Sequence, residues 1–228
     1  MNNKSVQSAQ DYEQRYKSGY GLVYPESHII RVHRHILEWE LGIKSGLMFD
    51  FGCGSGAHPK YFAEQGFIPY GCDTSETAVA QCKAFMPNFA ANFSVSSPNN
   101  PDLVSLTGAG SLSIFLSNQV LYYLDNAGIR NIVQQAHTML QAGGVFIASM
   151  MSYSCWYARH ITAKEGDYGW VELDTPRQKA GFYINFKQRE ELEPLFQPFR
   201  KLHLGSYGSW IREEEGSTDH WLYVGVKD

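Results

Sequence analysis

Cysteine is scarce in this chain, and the four present, Cys53, Cys72, Cys82 and Cys155, show no paired spacing. That excludes a disulfide scaffold and a cysteine-based zinc site. His28, His33 and His35 contain no pair four residues apart, the spacing that brings two imidazoles to one metal from one helix. No metal is expected. Apolar runs are short, none near the roughly 18–20 residues that span a bilayer. Met1-Asn-Asn-Lys-Ser5 lacks the apolar core of a secretion signal. Charged residues make up only 18%, with a net charge of −4 and no basic block, so a nucleic-acid partner is not expected. Repeats, low-complexity tracts and a clear domain boundary are missing too. What remains is one domain over residues 1–228, cytoplasmic, with reduced thiols, and long enough for a sizeable core.

The densest signal is Leu47-Met-Phe-Asp-Phe-Gly-Cys-Gly-Ser-Gly-Ala57. An apolar run, an acid at Asp50 and then Gly52, Gly54 and Gly56 read as a buried strand turning tightly into a helix. Such glycines let the backbone take positive φ and let a ligand lie against bare main chain. A second apolar run, Ile68-Pro-Tyr-Gly-Cys-Asp73, ends in an acid about 20 residues later, where a carboxylate can accept both hydroxyls of a ribose. Gly52, Gly54 and Ala57 also satisfy the dinucleotide pattern G-x-G-x-x-A, which keeps an NAD(P)-dependent oxidoreductase in view. Charge separates the two readings. A pyrophosphate seeks backbone donors with no carboxylate nearby, whereas Asp50 ahead of the glycines suits an ammonium or a sulfonium.

At these residues the chain resembles class I S-adenosylmethionine-dependent methyltransferases. Asp50-Phe-Gly-Cys-Gly-Ser-Gly56 is similar to that family's first motif, Asp73 to its ribose-binding acid, and Leu140-Gln-Ala-Gly-Gly144 to its leucine-x-x-glycine-glycine turn. The resemblance covers roughly residues 20–226. It implies an α/β, Rossmann-like methyltransferase fold, a seven-stranded mixed sheet with helices on both faces and an antiparallel last strand. It also implies S-adenosylmethionine as cofactor and S-adenosylhomocysteine as product. The cofactor would be held by Asp50, Gly52, Cys53, Gly54, Gly56, Asp73, Thr74, Ser96, Asn118 and Gln119. Ser96 departs from the family, which typically places an acid there to meet the adenine amino group. A methyltransferase-like domain that binds without catalysis stays open, although the intact glycines weigh against it.

Around these motifs the spacing predicts a helical lead-in over residues 1–45, including a helix near 26–40 from Ile29, Val32, Ile36 and Leu37. A helix follows from Ala57 to Gln65, closed by Gly66, then a strand to Cys72 and a helix capped by Thr74 or Ser75. Strands are expected at 92–96, 111–117 and 145–149, with a loop over 98–110. The apolar stripe from Ile129 to Leu140 makes another helix. A helix at 188–196 precedes two strands, 200–207 and 220–226. Between 151 and 181 the residues Tyr153, Trp156, Tyr157, His160, Tyr168 and Trp170 are aromatic and poorly periodic. The resemblance suggests an acceptor-site lid there.

Methyl transfer from a sulfonium is an in-line displacement with an excellent leaving group, so it needs alignment and dryness more than a catalytic triad. The Asn/Asp-Pro-Pro-Tyr/Phe signature of amino-group methylation is absent; Ser117-Asn-Gln-Val120 follows the fourth strand instead. A small-molecule acceptor is therefore preferred. Tyr20, Tyr24, His28, Tyr122, Tyr153, Trp156 and His160 are candidate acceptor-site residues. His28 and His160 are the candidate general bases, and Tyr24 is a further candidate for a catalytic role.

Overall fold

The computed structural model describes residues 3–98, 101–175 and 179–228. Residues 1–2 of the expected lead-in, 99–100 of the expected loop and 176–178 of the expected lid lie outside the described residues. The main sheet contains β1 (Gly46–Phe51), β2 (Phe67–Asp73), β3 (Phe93–Val95), β4 (Leu112–Ser117), β5 (Leu140–Met151), β9 (Arg200–Tyr207) and β10 (His220–Val226). Their order across the sheet is β3-β2-β1-β4-β5-β10-β9. Strands β1 to β5 run parallel, and β10 is antiparallel to both β5 and β9. The chain therefore reverses its direction of winding between β1 and β4. In open α/β sheets the crevice beyond the carboxyl ends at that point is where ligands bind.

Both faces of the sheet are covered, which is why β4 is buried along its whole length. Alternate residues supply the two cores. Phe49, Phe115 and Phe146 point to one face, against α6 (Asn126–Met139) and Phe199. Their rings stack in series, with centroids 5.5 Å apart for Phe49–Phe115, 5.8 Å for Phe115–Phe146 and 4.6 Å for Phe146–Phe199. Met48, Ile114, Leu116 and Ile147 point to the other face, against Ile29, Val32, Leu37 and Phe62. Helix α3 (Ala57–Glu64) starts at Gly56 and is followed by Gly66 at φ +94°, as the spacing predicts. Helix α4 (Glu76–Phe85) is capped by Ser75, whose Oγ accepts from Ala78 N at 3.0 Å.

The expected helical lead-in begins with α1 (Asn3–Lys17). Three expectations change. The helix near 26–40 is a short α2 (Ser27–Arg31) running into a π-helix, Val32–Glu40, in which Leu41 N–H reaches back five residues to Ile36 O. The wider turn breaks 3.6-residue spacing and brings His33 into the core, where its Nδ1 pairs with the Tyr61 hydroxyl at 2.8 Å. Strand β5 is longer than expected because Gly143 N–H and Gly144 O pair with Lys227 and extend the ladder. The aromatic stretch after β5 is largely a second antiparallel sheet. It is built of β6 (Ile161–Glu165), β7 (Tyr168–Asp174) and β8 (Lys179–Ile184). Between these small strands and β9 lies α7 (Arg189–Leu195).

Candidate active site

The glycine turn closes on the ends of two neighbouring strands. Gly52 N–H and Cys53 N–H donate to Cys72 O at 2.8 and 3.0 Å, fastening the turn to β2. Gly54 sits at φ +53°, and a Cβ there would come 2.5 Å from the Tyr16 hydroxyl of α1. Gly54 N–H donates to Asp73 Oδ2 at 2.9 Å, and Ser75 N–H to Asp73 Oδ1 at 2.9 Å. Burial raises the Asp73 pKa, while these amides counter the rise by stabilising the carboxylate. Asp73, Thr74, Ser96 and Ser97 form one end of a large cavity against the turn. Its empty volume, solvent mouth included, is about 1090 Å³.

Beyond β4 a polar network forms the cavity's other end. Glu26 accepts from Asn118 Nδ2 at 2.6 Å and from Gln119 Nε2 at 2.8 Å. Asn118 Oδ1 also meets His28 Nε2 at 2.9 Å, Ser149 Oγ at 3.2 Å and the Tyr207 hydroxyl at 3.2 Å. Gln119 holds φ at +61°, the one positive φ outside glycine among the described residues. Ser149 Oγ keeps it there, accepting from Gln119 N at 2.7 Å. His28 stacks on Tyr207 at 3.5 Å between centroids, and Tyr207 stacks on His220 at 5.1 Å. Desolvation lowers the His28 pKa, and it lowers that of His220 to about 4.

Asp50 lies behind this cavity rather than on it. It is 1% exposed, and its Oδ2 has no hydrogen-bond partner. Burial first, and then repulsion from Asp73, push its carboxyl up to about 8. The nearest imidazole is His58, whose Nδ1 is 3.9 Å from Asp50 Oδ2. His58 does line the cavity. Its Nε2 is also without a partner, 3.8 Å from Glu26 Oε2, and burial takes its pKa down to about 4. Asp50 therefore faces the site through His58 and not by direct exposure, as its place ahead of the glycines suggested.

Helix α1 covers the cavity. Ser5, Ser8, Ala9, Tyr12 and Tyr16 line it, with Tyr20 and Leu22 following and Tyr123 and Leu124 opposite. Polar ties hold the helix down, among them Ser5 Oγ donating to Tyr123 O at 3.0 Å. Glu13 accepts from Ser75 Oγ at 2.5 Å and from Thr77 Oγ1 at 2.6 Å, bonds that hold its carboxyl down to about 2. The Tyr12 and Tyr123 hydroxyls pair at 2.7 Å, and Lys4 pairs with Glu165 of β6 at 2.9 Å.

None of the described residues of 151–181 lines the cavity, which α1 covers. Of the expected residues, Gly52, Cys53, Gly54, Asp73, Thr74, Ser96, Asn118 and Gln119 line one cavity, with Tyr20. Gly56 starts α3 beside them. His28 reaches the cavity through Asn118. Tyr24 is 80% exposed and outside the lining. His160 packs on Trp156, Tyr153 on Phe186, and Tyr122 is buried against His220, none of them on the cavity. Glu26, His58, Tyr12 and Tyr16 were not among the expected site residues. The four-residue spacing of Tyr12, Tyr16 and Tyr20 was the signal for one aromatic helix face.

Comparison with known proteins agrees with this geometry. Residues 49–148 match the family model of a methyltransferase domain. The fold is the Rossmann-like methyltransferase fold. No curated protein matches its sequence. Among solved structures, a Burkholderia thailandensis 1,6-didemethyltoxoflavin-N1-methyltransferase, with 1,6-didemethyltoxoflavin and S-adenosylhomocysteine bound, superposes with a TM-score of 0.68. It is 17% identical, over 98% of this chain and 88% of that one. An S-adenosylmethionine-dependent methyltransferase from Anabaena variabilis gives 0.67 at 14% identity, covering 97% and 95%. One from Methanosarcina mazei gives 0.64 at 15%, covering 81% and 93%. At such identities the likeness is one of fold. Among the described residues, no helix is long and apolar enough to cross a membrane.

Proposed function

We propose that the chain binds S-adenosylmethionine in this cavity and transfers its methyl group to a small-molecule acceptor. The observation that carries the reading is the charge of the lining: Glu26 and Asp73 are acidic, and neither lysine nor arginine occurs among the lining residues. A dinucleotide's pyrophosphate would meet no cation there, whereas a sulfonium–ammonium ligand meets carboxylates. The residues fit such a cofactor in other ways. Asp73 offers a carboxylate already held in place by Gly54 N and Ser75 N, suited to ribose hydroxyls. Gly54 leaves bare backbone where a side chain would fill the cradle. Asn118, Gln119, Glu26 and His58 converge on the methionine end, and the unpartnered His58 Nε2 is free to meet it.

When bound, the cofactor supplies an electrophilic methyl carbon on a sulfonium. The protein's own part is to position and to exclude water. Helix α1, tied down by Glu13 and Tyr12, closes the cavity over the reacting groups, and Gln119 and Asn118 fix its floor. His28 acts as a positioning residue through Asn118; Tyr24 and His160 have no place in this reading. The bound small heterocycle of the Burkholderia enzyme supports a small acceptor, as does the net negative charge against a nucleic acid. The four unpaired, buried thiols support a cytoplasmic location. The test is calorimetric titration with S-adenosylmethionine, S-adenosylhomocysteine and NAD. Micromolar binding of the first two alone is expected; binding of NAD, or of none of the three, overturns the reading.

A further inference from the structure

The part of the cavity that the cofactor's fixed points leave over has its own chemistry. It is lined by α1, the segment after it, and Tyr123 and Leu124. Four tyrosines make up most of this wall. Tyr12 lies 6.5 Å from Tyr16, 6.1 Å from Tyr20 and 5.4 Å from Tyr123, ring centre to ring centre. Three of the four contacts joining these rings are edge-to-face, an arrangement that leaves ring faces for a flat guest. Arg15, which is not a lining residue, stacks on Tyr12 at 5.0 Å, so one face of this cluster already holds a cation. The only ionised side chain that this segment brings to the cavity is Glu26.

We propose that the acceptor is a small, uncharged nitrogen heteroaromatic without acid groups, methylated on a ring nitrogen and stacked on the wall of Tyr12, Tyr16, Tyr20 and Tyr123. This rests on the cofactor reading above. Three features select the class. An acid would lose its hydration with no lysine or arginine among the lining residues to compensate. An alcohol or phenol would have to give up a proton, and the one carboxylate at this end, Glu26, has both oxygens engaged by Asn118 and Gln119. The Tyr12, Tyr16 and Tyr20 hydroxyls are held protonated by burial and that of Tyr123 is pushed up to about 12, while His58 is driven down to about 4. A pyridine-type nitrogen needs no base, because its lone pair lies free in the ring plane.

The bookkeeping of the step agrees with the lining. The nitrogen lone pair forms the new N–C bond, the C–S bond breaks, and its electron pair stays on sulfur. No proton moves. The positive charge passes from sulfur to the acceptor nitrogen, into a wall of tyrosine faces with Glu26 beside it. Both stabilise the charge as it arrives.

The experiment uses full-length protein saturated with S-adenosylhomocysteine, titrated by calorimetry with pyridine, isoquinoline, acridine, 1-naphthol, 1-naphthoate and N-methylisoquinolinium. At least one neutral heterocycle should bind, with 1-naphthoate at least ~10-fold weaker than isoquinoline, the scale of an uncompensated buried charge. With S-adenosylmethionine, mass spectrometry should show N-methylation of the heterocycle and none of 1-naphthol. Tyr20→Leu is the safer variant, because Tyr20 is 48% exposed and carries little of the core. It should weaken N-methylisoquinolinium by about 3–30-fold, the range of a cation–π contact, and isoquinoline less. Glu26→Gln should also weaken the cation more than the neutral heterocycle. Equal binding of 1-naphthoate, methylation of 1-naphthol in place of the heterocycle, or no heterocycle bound to loaded protein overturns the acceptor class while the cofactor reading stands. Failure of S-adenosylhomocysteine itself to bind the folded protein overturns both.

Discussion

One wall of the cavity, at the ends of β1 and β2, is made largely of main chain, whereas the facing wall, on α1, is made of side chains. The first wall comes from two turns less than thirty residues apart. Gly52, Cys53 and Gly54 bond to Cys72 O and Asp73 over the strand ends. The second wall is assembled from distant segments: Tyr12 meets Tyr123, Glu13 meets Ser75 and Thr77, and Glu26 meets Asn118 and Gln119. A main-chain wall fits one ligand shape and tolerates few substitutions. A side-chain wall can change its chemistry residue by residue, which is what an enzyme needs where acceptors differ.

Substitutions can break that contrast in a graded way. Gly54→Val should have the largest effect. It forces a β-branched residue to φ +53° and against Tyr16, at about 3 kcal/mol or more of cofactor affinity. Titration with S-adenosylhomocysteine reads the loss, and normal binding by a folded variant would remove the turn from the cofactor site. Asp73→Ala should cost about 1–3 kcal/mol of the same affinity, the range for hydrogen bonds to a charged group. An unchanged dissociation constant would sink the ribose assignment.

The stack of His28, Tyr207 and His220 beneath Asn118 should be the acid-sensitive part. His220, held near 4 by burial, stays neutral when folded, whereas an unfolded chain protonates it near 6.5. Its contribution is therefore complete above pH 6.5 and is lost as the pH falls through 4. Asp50, pushed up to about 8, acts with the opposite sign: folding is favoured below about 4 and loses that advantage as the pH rises through 8. The informative quantity is thus the difference between wild type and His220→Phe in urea unfolding from pH 7 to 4. We expect the variant's curve to be flatter by about 1–2 kcal/mol; identical slopes would show that the stack under Asn118 does not titrate. The smallest effect belongs to Glu13→Gln, which weakens the clamp on Ser75 and Thr77 without touching the turn. It should speed tryptic cleavage at Arg15 and Lys17 and lower S-adenosylhomocysteine affinity modestly. Unaltered cleavage would mean that Tyr12 and Lys4 suffice to hold α1.

The same contrast explains what could be read from the sequence. The positions of the main-sheet strands along the chain, helix ends at Gly66 and Ser75, and the antiparallel β9–β10 pair follow from local patterns, and the structure bears them out. The glycines and Asp73 declare themselves because their chemistry is local. Glu26 and His58 do not, since each gains its place only through contacts tens of residues away. The short strands β6 and β7 escaped because β6 is exposed at four of its five residues and β7 alternates only in its second half. The π-helix at Val32–Glu40 escaped because its period differs from the one used to look for helices.

Gln119 has a consequence for anyone engineering this chain. Glycine would adopt φ +61° freely; glutamine holds it at a cost of about 1 kcal/mol, while its amide reaches Glu26 and Tyr207. A library ranked by melting temperature will favour glycine at position 119 and discard the group that sets the cavity floor. Heat resistance and turnover should therefore be selected together here, because at this position they reward different amino acids.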